Sequence, residues 1–167
     1  MYDEIKRFLG DEAVMVPMPI VDKSSMAEDS KEFLTSVGLP TRDDLPFPFF
    51  KRPQDFYLWC FDGRQYLVLA EERDQKLSLD LATGEIFIID ARRELPKRFV
   101  NSNVKSLIMF LKYYSETKDR AQKRSQKTVD RIISQLRRTL SHEDPAALGD
   151  DESWWSVILE QTEQGLM

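Results

Sequence analysis

One cysteine and one histidine occur in 167 residues. With only Cys60, no intramolecular disulfide and no cysteine-based zinc site can form. With only His142, a Ser–His–acid or Cys–His site would have to be built on a residue in the polar run Ser-His-Glu-Asp-Pro, at an expected helix end. Cys60 lies in an aromatic strand pattern and reads as a buried, inert thiol. The six glycines are isolated, so there is no glycine-rich phosphate loop. No run approaches the ~20 apolar residues of a membrane span, and the charged N-terminus lacks the apolar core of a signal peptide. The expectation is a cytoplasmic protein. Acidic pairs occur at Asp43-Asp44, Glu71-Glu72 with Asp74, and Asp150-Asp151-Glu152. None has the spacing of a calcium loop, and they read as solvated turns. The chain is therefore expected to carry no catalytic residues, no cofactor and no metal.

What is present is a globular composition, 41% hydrophobic and 32% charged, with net charge −5. The length fits a single domain over residues 1–167. Residues 1–53 read as N-terminal helices and loop cover, 54–115 as a sheet and a capped helix, and 116–167 as C-terminal helices.

A short helix over 2–9 ends at Gly10. Residues 13–22, with Pro17 and Pro19, read as an extended segment over apolar surface. A helix over 27–37 puts Phe33, Leu34 and Val37 inward and stops at Gly38. Loop 41–53 interleaves Phe47, Phe49 and Phe50 with prolines. Those aromatics could line a ligand groove, but plugging the end of a sheet is the favoured reading.

Strand patterns follow at 56–61, 65–70, 76–81 and 85–90. Asp62-Gly63 and Ala82-Thr83-Gly84 supply tight turns, so about four core strands form an antiparallel meander. The unbroken apolar run of the second strand implies burial on both faces. The alternation of Leu77, Leu79 and Leu81 implies one wet face on the third. Asn101, Ser102 and Asn103 are good N-cap residues for a helix running to about Tyr114. Val104, Leu107, Ile108 and Leu111 mark its sheet-packing face. Residues 117–140 read as one helix of ~36 Å. A possible helical turn follows Pro145, and a last helix carries Trp154 and Trp155. The fold class is α+β: a mainly antiparallel sheet packed with helices.

Charge is unevenly spread. Residues 91–138 hold fourteen Lys/Arg against four Asp/Glu, a net +10, which leaves −15 for the remainder. A basic 118–138 helix could meet phosphates. No stacking aromatics flank it and the acidic remainder would repel a polyanion, so neutralisation within the protein is expected and nucleic acid is not the expected partner.

Four segments resemble one family. Phe33-Leu34-Thr35-Ser36-Val37-Gly38-Leu39-Pro40 is similar to the opening motif of the fourth subgroup of the SUKH superfamily. Leu77–Ile86, with its Thr83-Gly84 turn, resembles that group's hairpin. Phe99-Val100-Asn101-Ser102-Asn103 resembles the lead into its sheet-packing helix. Asp144-Pro145-Ala146-Ala147-Leu148 followed by Trp155, Ile158, Leu159 and Gly165 resembles its C-terminal segment. The match spans about residues 31–165. Gly38, Leu39, Pro40, Gly84, Phe99, Asn101, Ser102 and Trp155 are then fold markers and not ligands to anything.

The resemblance implies a non-enzymatic immunity protein that binds a cognate polymorphic toxin, often a nuclease or a nucleic-acid deaminase, and blocks its active site. A general regulatory interaction module and a nucleic-acid binder are the alternatives. The expected partner is a protein, met by a monomer or weak homodimer with no membrane involved. Variable loops would carry the interface: Glu71, Glu72 and Asp74 in the acidic link, Asp43 and Asp44, and Phe49 and Phe50 in the Pro/Phe loop.

Overall fold

The computed structural model describes residues 2–166. Its helices are α1 (Tyr2–Leu9), α2 (Met18–Val21), α3 (Glu28–Glu32), α4 (Val104–Ala121), α5 (Gln126–Glu143) and α6 (Trp154–Glu163). Its strands are β1 (Tyr57–Phe61), β2 (Arg64–Glu72), β3 (Gln75–Asp80), β4 (Ile86–Asp90) and β5 (Arg98–Asn101). The strands form one antiparallel sheet in the order β1-β2-β3-β4-β5. The architecture is α+β, with five strands where four were expected. The lead into the helix cap, Arg98–Asn101, is itself a strand that pairs with β4 before the cap at Asn103.

The turns form as their residues dictate. Asp62 and Gly63 both have positive φ, +49° and +75°, which a two-residue primed turn requires. Asn103 caps α4 by accepting from the Ser106 backbone N–H at 2.9 Å. Leu67, Leu69, Leu77, Leu79 and Ile86 face the helices and join Leu107, Ile108, Phe110, Leu111 and Trp155 in the main core.

Several expectations are corrected. Helix α4 runs to Ala121 and the expected 117–140 helix is two helices broken at residues 122–125. Lys123 takes a left-handed φ of +58°, and the Ser125 side chain accepts from Thr128 N to start α5. The expected extended 13–22 segment contains one helical turn, Met18–Val21, because Pro19 is tolerated in a first turn. The 27–37 helix is α3 followed by a π-helical turn, Phe33–Val37.

The wet face expected on the third strand is dry: Ser78 and Asp80 are buried. Opposed residues share a face, so Tyr57, Val68, Ser78, Phe87 and Phe99 line up on the side away from the helices, with Trp59, Tyr66 and Asp80 beside them. Tyr66, Val68 and Ile89 are buried there, apart from the main core. Aromatic rings and cations cover this second cluster. Lys76 lies over the Tyr57 and Trp59 rings, and Arg93 over Phe61 while it pairs with Asp62 at 2.8 Å.

Cys60 is also corrected. It alternates with the inward Trp59 and Phe61 and is exposed. Ellman's reagent should therefore titrate one thiol per chain in native buffer at low protein concentration. Reaction only after unfolding would restore the buried reading.

Candidate partner-binding surface

Most of the interface residues expected from sequence gather where the β2–β3 hairpin meets the Pro/Phe loop. A bulge at Leu69 re-aims the end of β2. Beyond it Glu71 stands opposite Lys76, and the two form an ion pair at 3.1 Å. The Tyr57 hydroxyl donates to Glu71 at 2.6 Å, and the Lys76 ammonium donates to the Tyr57 oxygen at 2.8 Å. The Tyr57 hydrogen bond, followed by Lys76, holds the Glu71 carboxyl below its ordinary pKa. Burial alone would lower the Lys76 pKa. Bonding to Tyr57 and Glu71 outweighs that and raises it.

Asp74 pairs with Arg92 at 2.8 Å. Asp43 pairs with Lys51 and Asp44 with Arg42, both at 2.6 Å. Bonding to Arg42 lowers the Asp44 pKa. Of the five acids expected to meet a partner, Glu72 is the exposed one that makes no ion pair among the described residues. Four of these five acids are thus paired within the protein before any partner arrives.

The Pro/Phe loop plugs the sheet end. Phe49 is buried and bridges Ala70, while Phe50 is half-buried against Phe56 and Tyr57. Phe47 stacks on Trp154 at 4.3 Å. A cleft of about 90 Å³ opens here, lined by Pro46, Phe47, Pro48, Glu71, Glu72 and Trp154. A second of about 480 Å³ adjoins it, lined by Glu72, Arg73, Asp74, Asp90, Arg92 and Glu94. Asp43 lies elsewhere, in a cleft of about 820 Å³ with Phe8, Glu12, Arg42 and Lys51. Sequence reasoning missed Trp154 at this surface, because a helix repeat does not say which end of a sheet it will reach. The Glu71–Lys76 pair was legible in principle, since a two-residue turn at 73–74 sets those residues opposite each other.

Six of the eight fold markers are buried, and Phe99 and Ser102 are half-buried. The Asp144 carboxylate, 4% exposed, accepts from Asn101 Nδ2 at 3.1 Å, Ser102 N at 2.8 Å and Ser102 Oγ at 2.7 Å. Asn101 Oδ1 accepts from Trp155 Nε1 at 2.9 Å. Thus Asn101 and Ser102 do not cap α4; they bind β5 to the start of the 3-10 turn and to α6. Gly84, at φ +78°, closes the β3–β4 turn, and Leu39 and Pro40 are buried. Phe99 meets Phe87 edge-on.

The basic segment is not neutralised by direct pairing. Lys118, Arg120, Lys123, Arg124, Lys127, Arg131 and Arg138 make no ion pair among the described residues, while Arg137 reaches Glu163 at 3.5 Å. At about 100° per residue, Lys127, Arg131 and Arg138 lie opposite the buried Ile133, Leu136 and Leu140. His142 is exposed. Among the described residues no three His, Cys, Asp or Glu side chains stand close enough to hold a metal ion, and no helix is long and apolar enough to cross a membrane.

A family model described as SUKH-4 immunity protein matches residues 3–161. No curated protein and no solved structure gives a match.

Proposed function

Because the chain belongs to the SUKH-4 immunity protein family, we propose that it binds a cognate toxin domain in the cytoplasm and holds it inactive. The match over residues 3–161 is the observation that carries this reading. The toxin is of the nuclease or nucleic-acid deaminase kind. The immunity protein does no chemistry and works by covering the toxin's active site.

The ion pairs shape how it does so. Glu71 and Asp74 already answer Lys76 and Arg92, so they offer a basic site little net charge. The cover is chiefly steric. The β2–β3 turn and the Pro/Phe loop form the obstructing wall, and Glu72 supplies the free carboxylate. Phe50 and Trp154, both half-buried, are the aromatic anchors within reach of that wall.

The test is co-expression with the toxin domain encoded beside this gene. Growth should be restored and the two chains should co-purify as a stoichiometric complex. Growth arrest with both chains present and no complex would overturn the reading.

The unpaired cations of α5 favour one second reading, contact with nucleic-acid phosphates. Binding to duplex DNA or RNA that weakens steeply with salt, and is lost in a Lys127→Glu/Arg131→Glu variant, would support it. No binding at low salt would dismiss it.

A further inference from the structure

The two edges of the sheet are treated differently. β5 opens with Arg98 and lies against α4, α6 and the 3-10 turn Pro145–Leu148. β1 is the other edge, and among the described residues its backbone bonds only to β2. Edge strands are usually blocked by a charge, a proline or a bulge. Tyr57-Leu58-Trp59-Cys60-Phe61 carries no charge and no proline, and it pairs with β2 without a register shift. Leu58 is 43% exposed and Cys60 is exposed, although both are on the face that meets helices elsewhere in the sheet. The helix layer therefore stops short of β1 and leaves room beside it.

We propose that β1 pairs with β1 of a second copy of this chain, antiparallel about a two-fold axis at Trp59, joining two sheets into one. The strand is its own complement. This register sets Trp59 against Trp59, Leu58 against Cys60 and Tyr57 against Phe61, each twice over except the first. Every opposed pair is apolar or aromatic, and no like charges meet. An axis at Leu58 or Cys60 would pair fewer residues. An axis between residues would turn the second sheet over and set its helix layer on the wrong side. The Trp59 axis keeps both helix layers on one side, where the exposed Leu58 and Cys60 mark the free space. This edge adjoins the toxin-facing wall at Tyr57, which bonds Glu71 and packs on Phe50, but the pairing does not depend on the toxin reading.

Sedimentation of the purified full chain should show a concentration-dependent dimer. The Leu58→Lys/Cys60→Lys variant, changed only at exposed positions, should be monomeric with an unaltered circular dichroism spectrum. Opposed residues in an antiparallel pair lie about 4.5–5.5 Å apart, within disulfide reach. A Leu58→Cys variant should therefore give a covalent dimer through Cys60 on mild oxidation. Wild-type Cys60 pairs, offset along the strands, should not. A monomer at every concentration, a dimer unaffected by the two lysines, or equal cross-linking of wild type and variant would overturn the proposal. So would a monomeric chain whose Cys60 is shielded from maleimide only when the toxin domain is added, since the edge would then take a strand of the toxin.

Discussion

Replacing Asp144 with alanine should destabilise the protein by about 2–4 kcal/mol. The carboxylate is buried and accepts three hydrogen bonds, two of them from Ser102 and one from Asn101. Alanine removes every acceptor: the buried Asn101 amide is stranded, while the Ser102 N–H and hydroxyl, half-buried, lose their partner but keep partial access to water. A stranded buried donor costs about 1–3 kcal/mol, far more than the net value of the bond it lost. Asn101 also positions the acceptor for Trp155 Nε1, so the loss reaches a fully buried indole packed on Phe110 and Tyr114. Urea titration should show a lower midpoint with an unchanged slope. Asp144→Asn keeps one carbonyl oxygen and should cost less than half as much. A midpoint shift for Asp144→Ala worth under about 1 kcal/mol would show that the network is dispensable.

Gly38→Ala should cost about 2–4 kcal/mol, for two reasons that add. Gly38 has φ +88° and ψ −170°, a region in which only glycine is comfortable. An added Cβ would also stand 2.8 Å from the Val14 carbonyl oxygen and 3.0 Å from its carbon. Those are backbone atoms, and they are held. Val14 and Leu39 exchange hydrogen bonds of 2.9 and 2.8 Å, so the contact cannot relax without breaking the bridge that fixes the N-terminal segment. Gly63→Ala is the control. Its φ of +75° is also left-handed, but nothing lies within 4 Å of the added carbon. It should cost only the conformational term, about 1–2 kcal/mol. Equal thermal shifts for the two variants would refute the steric part of the argument.

These two positions show what the sequence could and could not say. Gly38 was legible as a helix stop because glycine after a helical stripe has a local meaning. The bridge it makes room for was not, since Val14 sits in a proline-flanked segment with no periodicity. Asn101 and Ser102 were legible as cap residues, and the cap reading was locally sound. Asn103 took that role, and the other two turned toward a carboxylate 42 and 43 residues further on. Nothing local distinguishes these outcomes. The hairpin turns at Asp62-Gly63 and Thr83-Gly84 formed where expected because a tight turn depends on its own residues. The burial of Ser78 and Asp80 depends on how rings from β1 and β4 fold over the far face, which alternation cannot encode. Of the residues named from sequence, Glu71, Glu72, Asp74, Phe49 and Phe50 stand near one end of the sheet, but of its acids only Glu72 makes no ion pair among the described residues. Pairing of the named acids with Lys76 across two strands, and with Arg92, Lys51 and Arg42 through turns and loop, decides that.

The Asp144 network also bears on when the fold can be completed. Its bonds span 42, 43 and 54 residues of chain. On a ribosome, β5 and α4 emerge with Asn101 unsatisfied, and they stay so until Asp144 and then Trp155 follow. Closing loops of that length is entropically costly and is repaid only at the end. A nascent chain stopped within α5 would hold a sheet with an open polar seam against α4, so folding should finish only after release of the C-terminal segment. The last helix would then be the clasp that turns a loose sheet-and-helix assembly into the native protein.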